Sequence, residues 1–290
     1  AYGIMRFAQR GGADFGKKGE TQIPSVEYRG MSLESHSLTN YRQLFKMMLR
    51  QRANLLCEGW DRGDAPSRFT HDLRALADSF GIVLATPHGA HGLKLQGEKK
   101  SVNVNIGWAD DNYGYMAPAH DDPDDNCGAV YHLAYSGRPH SYLWLCTTQP
   151  GLLANEMGTA FDRGANRLWM CVVHNPYVAA YQLSLFLDMA WNVKAVDRTD
   201  VGRHLNGWLA GNFGLRAANA LMKPLTQYFM LTTIRRPEMM DFTMQKAPSK
   251  HNKNGDGGIA NTDFNAEEFG NELDRYLNHY KDVADRVKQA

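Results

Sequence analysis

The side chains with the clearest capacity for chemistry stand together at Trp108–Tyr113, which reads Trp-Ala-Asp-Asp-Asn-Tyr. Two carboxylates allow general acid–base work, in which one group gives a proton to a leaving oxygen and another takes one from water. The pair ends the polar–apolar alternation Val102–Ile106, the pattern of a strand. Side chains alternate along a strand, so Asp110 and Asp111 are expected to point in different directions. One would face a substrate while the other holds a loop or an arginine. The plainer reading is that both cap a turn into Asn112–Gly114.

Other candidates are chosen by type and position. Glu58 ends the short strand pattern Asn54–Glu58 and is a candidate second catalytic carboxylate. His88 and His91 follow the apolar run 82–86; three residues apart, they suit a metal ion or a substrate carboxylate, or are ordinary loop histidines. His132 and Arg138 suit an anionic group, because a guanidinium binds a carboxylate through two parallel hydrogen bonds. Asn112, Tyr113, His174 and Asn175 complete the candidate substrate-binding set. The acidic stretch 121–125 offers hard oxygens for calcium but lacks the spacing and terminal Glu of an EF-hand, and reads as a solvated loop. Glu156 falls inside a helical pattern and reads as structural. No metal site and no cofactor are expected.

These groups need a scaffold. Strands are expected at 26–30, 54–58, 82–86, 102–108, 128–135 and 166–173. Helices are expected at 38–52 with Ser37 as cap, at 66–80 opened by Pro66 and stopped by Gly81, and at 151–163. Further helices follow at 178–190, 199–212, 214–232 and 266–288. Strand followed by helix or loop, repeated, favours a parallel sheet with right-handed crossovers. The fold class is therefore α/β: a (β/α)8 TIM-like barrel, distorted or incomplete because only six strands are visible, with a C-terminal helical segment. Barrel active sites sit at the C-terminal face of the strands. Residues 1–25 read as a loop or the remnant of a preceding domain, 26–195 as the barrel and 196–290 as the helical segment, with a flexible loop at about 245–262.

Composition excludes several classes. The chain has 290 residues, 43% of them apolar, and a net charge of +1. That charge gives no field to draw nucleic acid or an acidic membrane, and no run is long enough to span a bilayer. It opens at Ala1 on polar, glycine-rich residues without a signal-peptide pattern, which leaves room for a removed leader or domain. Cys57, Cys127, Cys146 and Cys171 form no CxxC pair, so neither a disulfide framework nor a thiol zinc site is expected. No GxGxxG, GxxxxGK[ST] or GxSxG motif is present. Six Trp and thirteen Tyr suit stacking on sugar rings, though core packing also uses them. The apolar face of 266–288 could pack on its own barrel or make a homo-oligomer.

Several stretches in order resemble the glycoside hydrolase family 115 α-glucuronidases. They are Val26–Gly30, Gly81–His88, Trp108–Asn112, Tyr131–Leu145, Gly164–Trp169 running on to Phe186–Asn192, and Arg236–Met240. The resemblance spans about residues 24–245. It implies a distorted (β/α)8 barrel with a helical domain, an exported protein, and removal of glucuronic acid or its 4-O-methyl ether from xylan side chains with inversion. Inversion needs two carboxyl groups about 6.5–9.5 Å apart. By position, Asp110 or Asp111 would be the acid, and His88, His132 and Arg138 would line the sugar pocket. There are departures. Ser32–Ser35 stands where the family has Asn-Asp-Glu, and Val172–Asn175 where it has Asn-Val-Gly-Asp. The loop after His88 is short and lacks an acidic residue. The expectation is a retained fold with a remodelled pocket, acting on a uronic-acid polysaccharide. The alternative is a catalytically inactive relative serving as a glycan-binding or structural module.

Overall fold

Leu168–Val173 contains six apolar residues in a row, and all six are buried. Such a run has no solvent side, so it belongs inside a sheet covered on both faces. It is β8 of a computed structural model that describes residues 23–33, 40–60, 69–89, 91–96, 101–111, 113–121, 123–133, 146–234, 236 and 272–290. The other strands are β1 (Tyr28–Leu33), β2 (Leu55–Cys57), β3 (Val83–Pro87), β4 (Gly92–Gln96), β5 (Ser101–Asp110), β6 (Met116–Pro118) and β7 (Gly128–His132).

Seven strands close a ring in the order β4-β3-β2-β1-β8-β7-β5, with β4 paired back to β5 and β6 added beside β5. The ring is parallel apart from β4, which runs against both β3 and β5. Its register is staggered. From Leu84 the pairing passes through Leu56, Met31 and Cys171 to Tyr131, one residue beyond Val130, whose partner on β5 is Ala109. The other way round, Leu84 faces Gln96 and Gln96 faces Ser101, at the opposite end of β5. A closed barrel of tilted strands requires that offset.

Alternation divides the wall. Leu55, Cys57, Ala85, Leu93, Leu95, Val104, Ile106, Val130, Leu168, Met170 and Val172 form one buried cluster, the filled barrel interior. Met31, Leu56, Leu84, Ala129, Trp169 and Cys171 belong to a second cluster shared with the helices. The helices are α1 (Tyr41–Arg50), α2 (His71–Phe80), α3 (Pro150–Asp162), α4 (Ala180–Trp191), α5 (Val201–Phe213), α6 (Leu215–Ile234) and α7 (Glu272–Gln289). Among the described residues, none is long and apolar enough to cross a membrane.

The expected barrel is present, and its incompleteness has a physical reason. Between the expected strands 82–86 and 102–108 lies β4, which begins only five residues after β3 ends and pairs antiparallel with it. A tight turn leaves no chain for a helix, so Lys94, Asn103 and Asn105 on the outer face meet solvent. The cap of α1 is Asn40, whose side chain accepts from Gln43 N; Ser37 lies outside the described residues. Helix α2 starts at His71, capped by Thr70; Pro66 lies outside the described residues. Gly81 ends α2 at φ +69°, the left-handed conformation that suits glycine. The loop expected at about 245–262 also falls outside them.

Candidate active site

Because β1, β2, β3, β5, β7 and β8 run the same way, their C-terminal ends share one rim, and β4 starts there. Glu58, His88, His91, Asp110, Asp111, His132, His174 and Asn175 all leave strands at this rim. Asn112 and Arg138 lie outside the described residues.

Direct contact joins two candidates on neighbouring strands. Asp110 Oδ1 accepts from the His132 backbone N–H at 2.8 Å and lies 2.7 Å from His132 Nδ1. The Asp110 side chain is fully enclosed, and that of His132 is 13% exposed. A carboxylate held on Nδ1 orients the ring and fixes which nitrogen carries the proton, leaving Nε2 on the far side of the imidazole.

Asp111 turns elsewhere, as alternation along β5 requires. It is exposed, and its Oδ1 accepts from Tyr113 N at 2.9 Å and Tyr115 N at 3.0 Å. This is turn chemistry, with the side chain standing in for a backbone acceptor. Of the adjacent carboxylates, one is thus enclosed against His132 and the other is spent on a turn.

The turn is braced from behind. Tyr131, wholly buried, donates from its hydroxyl to Gly114 O at 3.1 Å. Burial, and then the charge of Asp110, push its phenol well above the ordinary tyrosine range. Gly114 sits at φ +100°, and a Cβ there would stand 2.7 Å from that hydroxyl. Glu156 of α3 accepts from Met116 N at 2.9 Å, in keeping with the structural reading of this residue. Arg236, two residues past α6, donates from Nη2 to Tyr113 O.

The remaining candidates are spread round the rim. Glu58 is half-buried and donates its backbone N–H to Ala85 O at 3.1 Å. His88 N donates to Gly92 O and Ile106 N to His91 O, so the backbone of both histidines ties the β3–β4–β5 hairpin. The His91 ring lies 5.9 Å from that of His120, not paired with His88. No group of three or more His, Cys, Asp or Glu able to hold a metal occurs among the described residues. Asn175 Oδ1 accepts from Tyr177 N at 2.9 Å, so this amide builds the turn that leaves Tyr177 exposed. His174 is half-buried beside it. Val172, where the family resemblance calls for Asn, is fully buried in the barrel interior. Arg236 was not singled out as a site residue by its spacing: it lies 123 residues from Tyr113, and no local pattern links them.

The profile of Glycosyl hydrolase family 115 matches residues 90–239, which include the Asp110–His132 pair and Arg236. The chain belongs to that family. No curated protein matches it. Among solved structures, this family 115 chain is similar to BtGH115A, described as a family GH115 4-O-methyl-α-glucuronidase with specificity for decorated arabinogalactans. The TM-score is 0.69 at 21% identity, covering 99% of this chain and 56% of that one. The likeness is one of fold, and the family 115 chain spans just over half the length of that neighbour.

Proposed function

We propose that this family 115 chain hydrolyses the bond between a glucuronic acid, or its 4-O-methyl ether, and a plant polysaccharide, with inversion. The observation that carries the reading is the Asp110–His132 contact at the C-terminal rim. In this reading the pair holds the proton taken by the leaving oxygen. Glu58 draws a proton from water. Inversion demands that the two groups approach a bound sugar from opposite faces, and β2, which carries Glu58, lies across the ring from β5. His88, His91, His174 and, by resemblance, Arg138 offer hydrogen bonds to the sugar carboxylate, and the exposed rings of Tyr113, Tyr115 and Tyr177 give flat faces for neighbouring sugars. The printed specificity of the structural neighbour adds decorated arabinogalactans to xylan as candidate substrates.

One observation favours the second reading, a family member that binds glycans without cleaving them: the Asp110 side chain is closed off from solvent. A single assay separates the two. Release of uronic acid from glucuronoxylan and from decorated arabinogalactan is measured for the wild type, Asp110→Asn, Glu58→Gln and Asp111→Asn. Hydrolysis by the wild type, lost about 10²–10⁴-fold in the first two variants and little changed in the third, supports the first reading. Tight glycan binding with no release by the folded wild type overturns it.

A further inference from the structure

We infer that Arg236 is a positioning residue, through which the helical segment sets the placement of the Asp110 carboxylate. The inference rests on the hydrolase reading of the rim. It starts from a weakness in β5. The last β5 residue paired to β4 is Asn105, opposite Gly92, so the strand runs past its neighbour by five residues, to Asp110. A β-bulge falls between Ile106 and Trp108, where a strand bends. Beyond it, the edge that β4 has left is taken by the three residues of β6, with Asp110 opposite Met116. On that side Asp110 is therefore only as well placed as the returning residues Tyr113–Met116.

A three-residue strand does not hold itself. Asp111 closes the turn from within, and three further anchors fix it from outside. Glu156 fixes Met116 N from α3, Tyr131 fixes Gly114 O from β7, and Arg236 fixes Tyr113 O from the end of α6. These anchors meet. A Cβ on Gly114 would stand 2.7 Å from Tyr131 Oη and 3.6 Å from Arg236 Nη2. The charges of Asp110, Arg236 and Glu156 all act on the Tyr131 phenol. Arg236 is the anchor that does not belong to the barrel. It follows α6, which packs on α5 and α7, and Tyr228 of α6 donates to Cys146 O at 3.3 Å. A displacement of about 1 Å at a reacting group can cost a hundredfold in rate, so a brace at this distance from the chemistry is expected to act on kcat rather than on binding.

The test uses the full chain, with Arg236→Ala and Arg236→Lys. Turnover is followed on a soluble 4-O-methylglucuronosyl xylo-oligosaccharide, and amide hydrogen exchange over 111–116 is followed without substrate. In Arg236→Ala, kcat should fall about ten- to a hundredfold with KM shifted less than about threefold. The Tyr113 and Tyr115 amides should exchange faster, with amides of β8 unchanged. Lysine can still donate to Tyr113 O and should recover part of kcat. Unchanged kcat in a wild-type-active protein, or a fall in kcat without faster exchange, overturns the inference. If the wild type releases no sugar, the hydrolase reading fails separately. The exchange result then decides the brace: faster exchange upholds it and equal exchange ends it.

Discussion

Asp110 and Asp111 are adjacent, yet the alternation of β5 sends one side chain to His132 and the other into a solvent-exposed turn. Their substitutions should therefore separate. Replacing Asp111 with Ala removes the acceptor for two backbone N–H groups at an exposed site, so it should lower stability by about 1 kcal/mol in a denaturant titration. Asp110→Ala removes the acceptor that the His132 backbone N–H uses inside an enclosed site. Losing a buried partner costs about 1–3 kcal/mol, and the denaturation midpoint should fall accordingly. Gly114→Ala combines a positive φ with a Cβ 2.7 Å from the Tyr131 hydroxyl. It should cost about 1–3 kcal/mol and loosen the same turn, visible as faster amide exchange at Tyr115. At this scale the adjacent acids were legible in the sequence because type and spacing are local properties. Their partners were not. The contact of Asp110 with His132 crosses 22 residues, and nothing in either segment announces the other.

Among the elements, legibility follows the number of wet faces. Strand β5 alternates because Asn103 and Asn105 meet solvent, and β8 is uniformly apolar because barrel interior and helices cover its two sides. Both patterns identify a strand from composition alone. Strands β4 and β6 hid in the sequence for different reasons. Gly92–Gln96 is short and carries Lys94 mid-strand, while Met116–Pro118 has three residues and ends in proline. Helix starts were displaced towards the most conspicuous residue, Ser37 or Pro66, whereas Asn40 and Thr70 make the capping bonds. Thr70→Ala should cost about 1 kcal/mol of stability, since it orphans Leu73 N. Met170→Ala in the filled interior should cost about 2–5 kcal/mol, read from the shift in thermal or denaturant midpoint.

For the whole molecule, the buried acids set the alkaline limit. Burial raises the Tyr131 and Tyr181 phenols above their ordinary value of 10.0 and the Cys171 thiol above 9.0. A raised native value means that stability is intact below the unfolded value and is lost as pH climbs beyond it. The fold should weaken progressively from about pH 9 upward, and these tyrosines should ionise only as the chain unfolds, which an alkaline titration of tyrosinate absorbance would register as a late, cooperative step. Arg29 takes no part in this loss: its buried guanidinium donates to the carbonyls of Val26, Glu27 and Arg52 and keeps its charge. Equal stability at pH 8 and pH 11 would contradict the account.

The reversed strand β4 gives the barrel a seam. Every other join in the ring is between parallel neighbours, but the two that β4 makes are antiparallel, with no helix between these strands among the described residues, and Lys94 already stands in water on the outer side. On warming, the cylinder should unzip there first, and the freed margins of β3 and β5 would then be the place where two opened molecules fasten together.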